Sequence, residues 1–170
     1  GRHYQLYHKL GAHPYTYRGQ DGYYFAVWAP HAAAVSLVGD FNAWNPDATP
    51  MKPVADSGIY ELFVPGLGVG QLYKFAITTH TGTILFKADP YANYAELRPG
   101  TASRVTDIEN IKWTDTEWMT RRKTWNHKHE PMSVYEAHIG SWMRHPGRED
   151  EGFYTYREFA EAIVKYVKEM

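Results

Sequence analysis

Five short runs rich in β-branched and aromatic residues, at 23–28, 34–38, 59–64, 72–77 and 83–86, constrain this chain more than any other feature. Turn-forming residues separate them: Ala29-Pro30, Gly39-Asp40, Asp56-Ser57-Gly58, Pro65-Gly66, Gly70 and Gly82. Successive starts lie mostly about a dozen residues apart, a spacing that favours an antiparallel β-sandwich over βαβ units. The longer interval at 39–58 is a loop holding Phe41 and Trp44. Long loops on a rigid sandwich are where binding residues collect.

The pattern divides the chain into four. Residues 1–19 carry no sustained period and read as a lead-in, 20–108 as the sandwich, and 109–131 as a charged linker. Residues 132–170 behave differently. An apolar run at 132–139 is expected to be a buried strand, 140–152 a polar loop, and 155–170 a helix. Thr155 and Glu158 have capping-box spacing. Phe159, Ile163 and Val167 then fall on one helical face. A strand, a loop and an amphipathic helix make a first βα unit, which cannot cover its own apolar faces. Its partners are expected beyond Met170, where the chain stops in mid-helix.

Charge and composition remove several function classes. Eighteen Lys and Arg against nineteen Asp and Glu give a net charge of −1, so neither nucleic acid nor an anionic membrane is the expected partner. Without cysteine the chain has no disulfide, thiolate metal site or cysteine nucleophile. No apolar run reaches the roughly 18 residues of a spanning helix, and a cytoplasmic context is the default. The six Trp, 14 Tyr and seven Phe exceed what a core of this size needs. Flat aromatic surface in such quantity points to a protein that stacks on its ligand.

Several segments resemble bacterial glycogen branching enzymes: LYHKLGAHP at 6–14, FAVWAP at 25–30, VGDFNAWNP at 38–46, GIYELFVPG at 58–66 and GQLYKFAI at 70–77. KADPYA at 87–92, RPGTASRV at 98–105 and SVYEAHIGSWMRHP at 133–146 continue the match in the family's order. The resemblance implies an immunoglobulin-like glucan-binding module, of the type found ahead of isoamylases, followed by a (β/α)8 barrel. This chain then holds the module and the barrel's first strand and helix. The implied activity is formation of α-1,6 branches in an α-1,4-glucan, by double displacement through a covalent glycosyl-enzyme. The resemblance places the catalytic carboxylates on later barrel strands, so no catalytic residue and no cofactor is expected here. Two other readings stay open: a stand-alone glycogen- or starch-binding module, and a debranching or trehalose-releasing relative.

Three residues are candidates for holding glucan. Trp44 sits in a Pro- and Asn-rich loop, where packing under the loop and stacking on a pyranose C–H face are evenly matched readings. The resemblance tips it to binding. Lys74 alternates to the face opposite Tyr73 and Phe75 and carries three protons to offer sugar hydroxyls. Related modules place a second aromatic just before an Asp-Pro like Asp89-Pro90, and Phe86 stands nearest that position. Trp28 ends an apolar strand and is expected in the core. Glu136 falls mid-strand and reads as a buried structural residue, not a catalytic carboxylate. Glu149-Asp150-Glu151 reads as a solvated loop run, and the pattern of His127, His129, His138 and His145 supports no metal site.

Overall fold

Alternation along the strands builds the core. In a computed structural model of the chain, residues 4–109, 111–126, 128–147 and 152–170 are described. Among the described residues, eight strands form two antiparallel sheets. The first has the order β1 (Gly11–Tyr17), β2 (Gln20–Trp28), β5 (Ile59–Pro65), β4 (Lys52–Pro53). The second runs β3 (Ala34–Gly39), β6 (Leu72–Thr78), β7 (Ile84–Lys87), with β8 (Ser103–Arg104) also paired to β6. Inward residues at every second position meet between the sheets: Tyr23, Phe25 and Val27 from β2, Val35 and Leu37 from β3, Tyr73 and Phe75 from β6. Phe25, Tyr73 and Phe75 interlock edge to face, with ring centroids 5.0 and 6.0 Å apart.

One polar network crosses this core. The buried Tyr73 hydroxyl donates to Asp89 Oδ2 at 2.6 Å, and Asp89 Oδ1 accepts the Tyr91 N–H at 2.8 Å. The Asp89 N–H in turn donates to Ser103 Oγ at 2.8 Å. Burial, then the adjacent carboxylate, pushes the Tyr73 hydroxyl far above the ordinary tyrosine range. Burial likewise raises the Asp89 carboxyl, opposed by its hydrogen bonds and by His13. The network pins the chain just after β7 to the neighbouring β8.

The chain divides into two units, 1–112 and 113–170. The lead-in reading of residues 1–19 is corrected by the first. Gly11–Tyr17 pairs along its whole length with β2, from Gly11 opposite Ala26 to Tyr17 opposite Gln20. Pro14 hid this strand, because proline breaks a ladder; at a sheet edge its missing N–H costs nothing. Trp28 is also corrected. It follows the inward Phe25 and Val27 out of phase, faces outward and is 62% exposed.

In the second unit, part of the expected linker is helical: α1 spans Thr116–Thr124. The strand expected at 132–139 does not form. Among the described residues nothing pairs with it, Val134 is 84% exposed, and a short helix α2 takes up Ile139–Trp142. A strand needs a neighbour for its N–H and C=O groups, and the described residues of this unit offer none. Glu136 is accordingly exposed, not buried. Helix α3 (Tyr156–Glu169) forms as expected, with a reciprocal Thr155–Glu158 capping box. His145 Nε2 also lies 3.2 Å from Glu158 Oε1, and these contacts, the Thr155 N–H first, hold the Glu158 carboxyl below its ordinary range. The apolar face of α3 meets aromatic side chains in place of a strand: Trp142 lies edge-on to Phe159 and Tyr166, at 5.4 and 5.8 Å. His127 and the 149–151 run lie outside the described residues.

Candidate functional site

The loop after β3 is held by side-chain hydrogen bonds rather than by a ladder. Asn42 Oδ1 accepts the Gly39 N–H at 2.9 Å, while its amide nitrogen donates to Leu37 O at 3.0 Å and to Thr49 Oγ1 at 2.6 Å. Thr49 Oγ1 itself donates to Leu37 O. This cross-bracing offsets the cost of two consecutive left-handed residues, Ala43 and Trp44, with φ of 52° and 59°. The resulting bend turns the Trp44 indole back over the start of the loop. Its Nε1–H donates to Asp40 Oδ1 at 3.1 Å, and Asp40 Oδ2 accepts the Leu72 N–H at 3.2 Å. One carboxylate therefore ties the indole to the first residue of β6. The half-buried ring is neither packed away in the core nor free to swing.

Lys74 lies two residues along β6 from Leu72, on the same outward face. Its Nζ donates to Thr101 Oγ1 at 2.7 Å, which leaves two of its protons for other acceptors. Phe86 on β7 stands opposite Ala76 in the register, so it shares that outward face and is diagonal to Lys74. It is 47% exposed. The fold thus gathers all three candidates at one sheet: Lys74 and Phe86 on its outer face, Trp44 tied to the end of β6. Asp40 and Thr101, which position Trp44 and Lys74, were missed by sequence reasoning. Asp40 stands four residues before the tryptophan, but nothing local announces that the chain will fold back between them. Among the described residues no three His, Asp or Glu side chains gather as a metal site would require.

Two antiparallel sheets closed over one core, with ordered loops and aromatic side chains left outside it, define an antiparallel β-sandwich module. Residues 9–92 match carbohydrate-binding module 48, the isoamylase N-terminal domain. All 170 residues align at 55% identity with the 1,4-alpha-glucan branching enzyme GlgB of Butyrivibrio fibrisolvens, covering 27% of that protein. They align at 46% identity with the 1,4-alpha-glucan branching enzyme GlgB of Protochlamydia amoebophila, covering 23% of it. The chain thus spans about a quarter of the length of the curated relatives it matches. Among solved structures, the pullulanase of Bacillus acidopullulyticus is similar over 58% of this chain and 12% of its own, with 27% identity and a TM-score of 0.46. No helix among the described residues is long and apolar enough to cross a membrane.

Proposed function

We propose that this chain is the glucan-handling part of a cytoplasmic 1,4-α-glucan branching enzyme, and that it holds the polymer through Trp44, Lys74 and Phe86. In this reading the sandwich is the immunoglobulin-like module ahead of an α-amylase-type barrel, and 132–170 opens that barrel. The match to branching enzymes along all 170 residues supports the reading, as does the capped, apolar-faced helix α3. The chemistry then belongs to carboxylates elsewhere in the polypeptide, and this chain alone transfers no glucan.

The observation that carries the site is the double role of Asp40, which fixes an indole against the strand bearing Lys74. A pyranose has one apolar C–H face and a rim of hydroxyls. The Trp44 ring covers the face without needing a hydrogen bond, and Lys74 donates to the rim. Phe86 extends the apolar surface to a neighbouring glucosyl unit. Stacking on one sugar is worth on the order of 1 kcal/mol, by analogy with aromatic pairs. Single-site affinity is therefore weak, and retention on glycogen depends on avidity.

Calorimetric titration of maltoheptaose into the chain and its Trp44→Ala variant tests the site, with affinity electrophoresis through glycogen as the polymer assay. The variant should keep its fold and lose binding; equal binding would make Trp44 structural. For the parent activity, a linkage assay on the full-length protein acting on amylose should show new α-1,6 bonds. Loss of α-1,6 bonds from amylopectin, with no new branches made on amylose, would favour the debranching reading.

A further inference from the structure

The sheet β1-β2-β5-β4 has an outer face that plays no part in the site above. Register places His13, Tyr24 and Phe63 in one row across it, and Lys52 opposite Glu61 in the next. Tyr15 and Tyr17 follow His13 at alternate positions of β1 and point the same way. The rings brace one another: Tyr15 lies 6.1 Å from Tyr24 and 6.0 Å from Phe63, and Tyr17 lies 5.7 Å from Phe63. Yet Tyr15 and Tyr17 remain 53% and 47% exposed. They border an open groove of about 890 Å³ that also contains Glu61 and Lys52.

We infer that this groove is a second glucan-binding face, taking an α-1,4-glucan strand on the side of the sandwich away from Trp44. The inference rests on the reading of the module as a glucan binder. Three observations favour sugar over a protein partner. First, most of the apolar surface on offer is ring face, from Tyr15, Tyr17 and Phe63, with Pro14 beside them and Leu62 packed against the core. Second, charged side chains are depleted at protein-interface cores, whereas here Glu61 and Lys52 line the groove itself. Third, the acceptor is already oriented: Glu61 Oε2 takes the Tyr24 hydroxyl, and Oε1 has no hydrogen-bond partner among the described residues. Ring platforms beside a fixed carboxylate and a lysine suit a ligand with an apolar face and a hydroxyl rim. The rings sit on paired strands and brace each other, so little ordering cost remains to be met on binding. Two faces on opposite sides of one core let a single module grip two segments of a branched polymer.

The test is a titration of the isotope-labelled 170-residue chain with maltoheptaose, followed by amide chemical shifts. Shifts are expected in two separate regions, the loop at 39–45 and the strands at 11–17 and 59–65. The double variant Tyr15→Ala/Tyr17→Ala should weaken binding at the second region by roughly tenfold and leave the loop response unchanged. Trp44→Ala should do the converse. Tyr15→Phe/Tyr17→Phe, which keeps the ring faces, should bind within a few-fold of the wild type. Shifts confined to the loop would overturn the second face while leaving the first intact, and shifts confined to the strands would do the reverse. Self-association in sedimentation that the double alanine variant abolishes, without strand shifts on adding sugar, would also overturn it and assign the face to a protein contact.

Discussion

Replacing Tyr73 by phenylalanine tests whether the buried polar network holds the sandwich together. The change keeps the ring, fully buried between Phe25 and Phe75, and removes only the hydroxyl that donates to Asp89 Oδ2 at 2.6 Å. Asp89 is itself only 7% exposed, so water cannot readily replace the lost donor. A hydrogen bond to a charged group contributes about 1.5–3 kcal/mol, and removing one partner here leaves a buried carboxylate oxygen bare. We expect a loss of about 2 kcal/mol at neutral pH, and a fall in melting temperature on the order of 10 °C for a unit of this size. The deficit should depend on pH. Burial raises the folded Asp89 pKa above its unfolded value, so the native state holds the proton more tightly. Ionisation of Asp89 therefore costs stability as pH rises through the interval above the unfolded value of about 3.9. The Tyr73 hydroxyl relieves that cost, since it hydrogen-bonds the charged form. Its removal should hurt most at pH 7 and progressively less towards pH 4. Urea denaturation followed by far-ultraviolet circular dichroism, repeated across that range, measures both effects. A loss under about 0.5 kcal/mol at pH 7, or one independent of pH, would refute the reasoning.

Other parts of the molecule give further expectations. Asp40→Ala should release the Trp44 indole and weaken maltoheptaose binding about two- to tenfold, the cost of ordering one side chain, with little change in melting temperature because Asp40 is exposed. Calorimetry and thermal melts on the same samples separate the two effects. Gly39→Ala should destabilise by about 1–3 kcal/mol in chemical denaturation, since its Cβ would lie 2.2 Å from Leu72 O and 2.5 Å from the Phe41 ring. For α3, Thr155→Ala should lower helical content by circular dichroism. The depressed Glu158 carboxyl supports the cap above its unfolded pKa of about 4.3 and loses that role as the pH falls further, so Glu158→Gln should remove this pH dependence of helicity. Limited proteolysis should cut within 113–131 and leave the first unit intact; rapid loss of the sandwich would disprove that boundary.

Local pattern was enough for much of the sandwich. The runs at 23–28, 34–38, 59–64, 72–77 and 83–86 became β2, β3, β5, β6 and β7 nearly in place, because period-two alternation and turn chemistry act over a few residues. The cap of α3 was legible for the same reason: Thr155 and Glu158 lie within one turn. Lys74 could be placed on an outer face by parity with Tyr73 and Phe75. The same parity, applied from Phe25 and Val27, would have turned Trp28 outward. What the sequence could not hold is anything that depends on which strands become neighbours. Pro14 argues against a strand until β1 proves to be an edge, where no ladder partner needs its N–H. The run at 132–139 argues for a strand, yet its backbone groups find no ladder among the described residues of this unit. The link from Trp44 through Asp40 to Leu72 spans 32 residues from Asp40 to Leu72, and the tyrosine face joins β1 to β5 across β2. Such contacts are set by sheet register and by the core that enforces it. Tertiary structure alone decided which aromatic side chains were consumed by the core and which were left facing solvent.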